Sequence, residues 1–123
     1  MRKASPTLTG LELEIMKIVW ERRSATVRDV YEALLERRKV AYTTVMTMMK
    51  ILEQKKHLKK TLADRAYLYR PAQPQGKVIG AMVREFVNRV FNGSAEPLLV
   101  HLVEEHDLSR EDLEEIAGMR RKP

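Results

Sequence analysis

The spacing of apolar residues in this 123-residue chain changes from a helical period to strict alternation after His57. Before that point, three segments repeat apolar side chains at the three- and four-residue spacing of one buried helix face. After it, apolar and polar residues alternate in two short runs on either side of the segment 63–66, Ala-Asp-Arg-Ala. Alternation around a short charged tip is typical of a β-hairpin. The order therefore predicts three helices followed by a two-stranded hairpin.

Residues that favour helix starts precede several of the helical segments. Thr9 is followed three residues later by Glu12, and Ser109 is followed in the same way by Asp112, which are capping-box patterns. Thr26 is a favourable N-cap for the second helix, because Asp29 then lies in the first turn and suits the helix dipole.

The third helix is predicted over residues 42–56 and has an unusual outer face. Its buried stripe is predicted to contain Val45, Met48, Met49 and Leu52. The opposite face carries Thr43, Thr47, Lys50 and Gln54 at helical spacing, beside Thr44. Threonine is a poor helix former, so a surface selected only for stability rarely concentrates it. A helix cap followed by tolerated threonines is the alternative interpretation, and a ligand-binding face is the hypothesis that we pursue.

Pro71 and Pro74 end the hairpin and divide the chain into a first domain, residues 1–73, and a second, residues 74–123. Helices are predicted at residues 76–91, from about Pro97, and after Ser109. Their apolar stripes are too large to stay in water in so short a chain, so we expect a homodimer. The predicted dimerisation residues are Ile79, Met82, Val83, Phe86, Val90, Leu98, Leu99 and Leu102.

The charge of the chain is concentrated in its first part. Residues 1–72 carry a formal charge of +8 and residues 73–123 a charge of −2. A basic first domain favours a polyanion such as nucleic acid as the partner. There is no cysteine, which excludes disulfides and cysteine-ligated metals, and no apolar run is long enough to span a bilayer. We therefore expect a cytoplasmic protein without membrane insertion.

Three helices and a hairpin in a basic domain indicate a winged helix-turn-helix, in which the third helix enters the major groove of DNA. The predicted fold is mainly α, with a small β-hairpin and a C-terminal helical dimerisation segment. Threonine can offer hydroxyl groups to bases or phosphates and a methyl group to thymine. Lys55 and Lys56 are expected to neutralise phosphates. The predicted DNA-binding residues are Tyr42, Thr43, Thr44, Met46, Thr47, Lys50 and Arg65.

Two other classes of function have weaker support in the sequence. A winged helix can also bind protein or RNA, but a protein-binding helix favours large apolar anchors over threonines. Tyr67 and Tyr69 could stack on bases, although alternate strand positions favour packing of the hairpin on the core. An enzyme has little support, because His101 and His106 are five residues apart on different helix faces. We predict no catalytic residue, metal or cofactor.

Several stretches resemble the penicillinase-repressor and methicillin-resistance-repressor family of bacterial transcription factors. They are LTGLELEIMKIVW, TVRDVYEAL, AYTTVMTMMKILEQKKHL, the hairpin ending YLYRPA, and FVNRVFNGSAEPLLVHLVEEHDLSREDLEEI. The resemblance covers nearly the whole chain. It implies a homodimeric repressor bound to a palindromic operator with TACA and TGTA half-sites, controlling β-lactam resistance or related genes. Thr44 and Thr47 match the base-proximal threonines of the family, whereas Thr43 replaces a basic residue found in several members.

The resemblance also implies a mode of regulation. In the antibiotic-resistance members, a membrane sensor triggers cleavage of an Asn-Phe bond in the dimerisation segment. The equivalent bond here joins His101 and Leu102, so a regulatory protease or a membrane-sensor pathway is an expected partner. A copper-responsive branch of the family carries a C-terminal cysteine cluster, which this chain lacks.

Overall fold

A computed structural model describes residues 8–119 of the chain. The predicted order of three helices, a hairpin and further helices is confirmed: α1 (Gly10–Arg22), α2 (Val27–Leu35), α3 (Tyr42–Gln54), β1 (Leu58–Ala63), β2 (Ala66–Pro71), α4 (Gln75–Phe91), α5 (Glu96–Glu105) and α6 (Arg110–Gly118). The chain forms two compact units that divide between Met82 and Val83, inside α4. A domain division after residue 73 stays a prediction, and the outer ends of both predicted domains lie outside the described residues.

The first unit begins with two helices that are capped as the sequence indicates. The Glu12 N–H donates to the Thr9 hydroxyl at 3.4 Å, and the Glu12 carboxylate accepts from the Thr9 N–H at 2.8 Å. Thr26 and Asp29 form the same reciprocal pair at 3.1 and 2.9 Å. Each box satisfies N–H groups that the first helical turn leaves without an intrahelical acceptor.

The core of the first unit lies among α1, α2, α3, the hairpin and the first turn of α4. It is formed by Leu8, Ile15, Met16, Val19, Ala25, Val30, Leu34, Val45, Met49, Leu52, Leu58, Tyr69 and Val78. Met48, which was predicted to be buried, is only partly buried at the edge of this core. Helix α3 ends at Gln54, two residues earlier than predicted, because Lys55 is its C-cap and Lys56 turns the chain at a φ of 68°.

The hairpin pairs β1 and β2 antiparallel, from Leu58 opposite Pro71 to Ala63 opposite Ala66. Asp64 and Arg65 form its tip with φ values of 47° and 70°. Positive φ at both central residues gives the turn a twist that matches the strands. Ala25 forms an isolated antiparallel bridge to β2, since its N–H donates to the Tyr69 carbonyl at 2.9 Å and its carbonyl accepts from the Tyr69 N–H at 2.8 Å. The base of the hairpin is thereby fixed to the segment between α1 and α2.

The second unit contains the rest of α4 with α5 and α6. Ser109 and Asp112 form the predicted capping box at 3.1 and 2.9 Å. Phe91 contacts the ring of Phe86 at 5.8 Å and that of His101 at 6.0 Å between centroids. None of the residues of α5 and α6 is buried. Among residues 8–119, the helices are too short or too polar to cross a membrane.

Candidate nucleic-acid interface

Helix α3 has one buried face and one that is open to solvent. Val45, Met49 and Leu52 are buried in the core. The exposed face carries five of the predicted DNA-binding residues, namely Thr43, Thr44, Met46, Thr47 and Lys50. The threonines are therefore free of core packing, and their hydroxyl and methyl groups are available to a ligand along the first two turns of the helix.

Tyr42, at the start of α3, is half-buried and packs against α2. Its ring meets that of Tyr31 edge-on, with 5.3 Å between centroids, and the Arg28 guanidinium carbon lies 5.4 Å from its centroid. The N-cap residue Ala41 offers no side-chain hydrogen bond to the first turn of α3. Tyr42 thus links the start of α3 to α2 in addition to facing the groove described next.

A groove of about 580 Å³ lies between the start of α2, the exposed face of α3 and the hairpin. Four of its lining residues are cationic, and none is acidic: the cations are Arg28, Lys50, Lys60 and Arg65. Tyr42, Met46, Lys50 and Arg65 of the predicted set meet here, whereas Thr43, Thr44 and Thr47 do not line it. The cationic groove therefore lies beside the threonine-rich face of α3. This arrangement suits DNA whose phosphates contact the groove while its base edges meet the threonines.

Two of these cations, Arg28 and Lys60, were missed by the sequence reasoning. Lys60 Nζ lies 3.3 Å from a Glu53 carboxylate oxygen and 4.4 Å from the centroid of the Tyr67 ring. The hydrogen bond to Glu53 raises the pKa of Lys60 above its usual value. The sequence signals were weak: Lys60 is one of several hairpin cations, and Arg28 is an ordinary first-turn residue.

The two hairpin tyrosines occupy different environments. Tyr69 is only 4% exposed, which confirms the expected packing on the core, and this burial raises the pKa of its phenol. Tyr67 is 48% exposed and lines the groove, so the expectation of core packing was wrong for this residue. Both rings lie on one face of the hairpin, but Tyr67 is closer to the tip, where residues 61–67 are all exposed.

Lys55 forms an ion pair within the protein instead of projecting into solvent. Its Nζ lies 3.0 Å from both carboxylate oxygens of Glu12, which is 2% exposed. Burial alone would raise the Glu12 pKa, but the Thr9 N–H and Lys55 stabilise the carboxylate and bring the pKa below its usual value. The ion pair with Glu12 partly neutralises the charge of Lys55 within the protein, and its expected contact with a phosphate stays a prediction. Lys56 is exposed, as expected.

The predicted dimerisation residues occupy α4 and α5. Val83, Phe86, Val90, Leu99 and Leu102 are exposed, and Ile79 and Leu98 are half-buried. Met82 packs partly against the core of the first unit. The His101–Leu102 bond lies inside α5 and not in a loop, so a protease would need local opening of the helix. Within residues 8–119, no cluster of His, Asp or Glu side chains could hold a metal ion.

Comparison with known proteins agrees with this geometry. The chain is 38% identical to the transcriptional regulator BlaI of Mycobacterium tuberculosis over 94% of its own length and 90% of the relative. It is 27% identical to the penicillinase repressor of Bacillus licheniformis, over 93% and 89%. The solution structure of monomeric B. licheniformis BlaI in complex with the blaP half-operator aligns with a TM-score of 0.51 at 26% identity, over 62% of this chain and 92% of that one.

These similarities identify the fold and the family. The three helices and hairpin of the first unit form a winged helix-turn-helix, with β1 and β2 as its wing. The sequence profile of the penicillinase repressor matches residues 8–121, which is almost the whole chain. This chain belongs to the penicillinase repressor family of transcriptional regulators.

Proposed function

We propose that this protein is a homodimeric repressor that reads a palindromic DNA operator through α3. The exposed threonine face of α3 beside a groove lined by four cations is the observation that carries this proposal. Family membership supports it, because the relatives are transcriptional repressors. Such a protein acts on chromosomal DNA and so works in the cytoplasm, without catalysis, metal or cofactor.

The two parts of the interface have different roles in this mechanism. Arg28, Lys50, Lys60 and Arg65 neutralise phosphates and set the position of the domain on the duplex, without reading sequence. The N-terminal half of a recognition helix reaches the base edges. Thr43, Thr44 and Thr47 lie there and are exposed, so they discriminate between bases by hydroxyl hydrogen bonds and by methyl contact with thymine.

Dimerisation joins two such domains on one palindrome. The second unit exposes large apolar side chains on each of its helices, including Phe86, Leu99 and Ile116. A second copy of the same chain would remove this apolar surface from water. The two recognition helices then enter major grooves about 34 Å apart, or a multiple of that distance. When one domain of the dimer is bound, the second is held at a high effective concentration near the other half-site, so the dimer binds more tightly than a single domain. Loss of the dimer therefore releases DNA.

Regulation by a protease would act on this linkage. Cleavage of the His101–Leu102 bond would separate the first part of α5 from the residues that follow it, without changing α3. Because the bond is helical, cutting depends on the free energy of opening α5 as well as on the protease. The family resemblance makes a membrane sensor of β-lactams the expected source of the signal, with resistance or related genes as the targets.

The test is selection of binding sites by the full-length protein from random duplexes, followed by fluorescence anisotropy on the selected sequence and a scrambled duplex. We expect a palindrome bound by two protomers, with affinity that falls steeply as salt rises. Thr47→Ala should reduce discrimination between selected and altered half-sites by about 1–3 kcal/mol. Gln75→Ala is the control, because Gln75 is exposed at the start of α4, outside both the threonine face of α3 and the groove. Equal binding to selected and scrambled duplexes would contradict the proposal.

A further inference from the structure

An ion pair joins the recognition helix to the wing. The Lys60 Nζ of β1 lies 3.3 Å from a Glu53 carboxylate oxygen of α3. Within residues 8–119, it is the one ion pair that connects α3 with a strand of the wing. Glu53 follows Lys50 by three residues and Met46 by seven. It therefore extends toward the end of the helix the row of α3 side chains that lines the groove.

The ammonium group of Lys60 also contacts the second strand of the wing. It lies 4.4 Å from the centroid of the Tyr67 ring and 5.9 Å from that of Tyr69, and aromatic faces attract cations. Tyr69 is the direct partner of Lys60 across the two strands. An ammonium group carries three N–H donors, so Lys60 can bind Glu53 and a phosphate at the same time. One lysine thus connects β1, β2 and α3.

This connection lies where the wing leaves the core of the first unit. At the base of the wing, Leu58 and Tyr69 are buried, and Ala25 is hydrogen-bonded to Tyr69. Beyond Lys60, residues 61–67 are all exposed. A two-stranded hairpin without further packing is only marginally stable. The ion pair is therefore placed where it can fix the distance between the outer part of the wing and α3.

Stability alone does not explain the acidic residue of this pair. The side chains of Glu53 and Lys60 are 33% and 27% exposed, and ion pairs that reach solvent contribute little to folding. Glu53 also places a negative charge beside a groove lined by four cations and no acidic residue. That charge weakens the attraction of the groove for phosphates. An acidic residue that lowers affinity and adds little stability indicates a role in positioning.

We propose that Glu53 is a positioning residue that holds the wing at a fixed distance from α3 through Lys60, and thereby increases discrimination between the operator and other DNA. This inference rests on the proposed function. Phosphate contacts set the orientation of a domain on the duplex, and base contacts read the sequence. With the wing fixed to α3, phosphates bound at the wing determine where Thr43, Thr44 and Thr47 meet the bases. With a wing that moves independently, the same phosphates are bound in several orientations of α3, so sequence preference falls while affinity remains.

The experiment is a double-mutant cycle on the full chain, with the palindrome that the protein selects and a scrambled duplex. Glu53→Gln and Lys60→Gln are measured singly and together by fluorescence anisotropy at one salt concentration. The readout is the ratio of the two affinities, because loss of a phosphate contact lowers both alike. Each single variant should lower this ratio about fivefold or more, and the double variant should lower it no further. Glu53→Gln should also bind the scrambled duplex more tightly, since it lacks one negative charge.

The control variant is Glu21→Gln, which removes the same charge from an exposed position of α1 outside the groove. Glu21 forms no ion pair with the residues of α3 or the wing, all of which the structure describes, so the ratio should stay as in the unmodified protein. The urea midpoint of Glu53→Gln should remain within about 0.3 M of that of the unmodified protein. A lower ratio would then not result from unfolding.

The other outcomes overturn the positioning role in different ways. An unchanged ratio in both single variants would show that the pair does not affect discrimination. A lower ratio in Glu53→Gln alone would assign Glu53 to a base contact, and losses that multiply in the double variant would show that the two residues act independently. Equal binding of both duplexes by the unmodified protein would overturn the proposed function and this inference with it.

Discussion

The first unit buries its apolar residues within itself, whereas the second does not. Helices α1, α2 and α3 all contribute fully buried side chains to one core, and the hairpin completes it with Leu58 and Tyr69. In contrast, α5 and α6 bury none of their residues, although both carry large apolar side chains. The difference indicates which part of the chain can fold alone and which part gains stability from a partner, since buried apolar area is the main favourable contribution to folding.

The largest expected effect tests the closed core of the first unit. Leu34→Ala removes a side chain that is 0% exposed and should lower the free energy of unfolding by about 2–5 kcal/mol. Urea denaturation followed by fluorescence of Trp20, the one tryptophan of the chain, reports on this unit. Leu99→Ala, at a position 53% exposed in the second unit, should change that value by no more than about 0.5 kcal/mol. Similar losses from both variants would contradict the contrast between the units.

The next prediction concerns the buried charge of the first unit. Glu12→Gln leaves Lys55 without its carboxylate in a site where the lysine is 18% exposed, so stability at pH 7 should fall by about 2 kcal/mol. Glu14→Gln, the control, breaks the exposed pair with Arg38 and should cost less than about 1 kcal/mol.

Glu12 should also make the stability of the protein depend on pH. Folding lowers the pKa of Glu12 below its ordinary value of 4.5. Its contribution is therefore complete above that value and is lost as the pH falls through the pKa of the folded state. The melting temperature of the unmodified protein should therefore fall steeply as the pH is lowered through this acidic range. Glu12→Gln should flatten this dependence of the melting temperature on pH. Parallel profiles for the two proteins would show that the pair does not control acid stability.

Truncation of an exposed apolar side chain in the second unit should weaken dimerisation and leave the folding of the first unit unchanged. Phe86 is 38% exposed and contacts Phe91, so Phe86→Ala should weaken the proposed dimer at least tenfold, equivalent to about 1.4 kcal/mol. Sedimentation equilibrium measures the change. Leu35→Ala removes a comparably exposed side chain from the first unit and should leave the dimer unchanged. An unchanged dimer in Phe86→Ala would remove α4 from the proposed interface.

The smallest expected effect has the opposite sign. Arg23→Gly removes side-chain strain at a φ of 72° and should raise the free energy of unfolding by about 0.5–1 kcal/mol in the same urea assay. Arg22→Gly, one residue earlier and inside α1, should lower it by about 1 kcal/mol. If both variants destabilised the protein, the left-handed turn at Arg23 would not be a site of strain.

Much of the fold and part of the candidate site could be predicted from the sequence. Helix starts depend on residues three positions apart, so the capping boxes at Thr9 and Ser109 and the N-cap at Thr26 were recognisable. The exposed threonines of α3 followed from helical spacing in the same way. The role of Lys55 could not be predicted, because its partner Glu12 is 43 residues away. Arg28 and Lys60 were missed for the same reason, since the groove that they share exists only after α2, α3 and the wing have packed together.

The amino-acid sequence by itself determined the order of elements, the helix caps, the tip of the wing and the face of α3 that stays polar. These features arise from contacts between residues a few positions apart, and from the period with which apolar side chains repeat. The tertiary structure decided which charges are buried and which are open, and which tyrosine of the wing meets the core. Those outcomes depend on distant segments meeting in space, where burial and nearby charge set the energy of each ionised group.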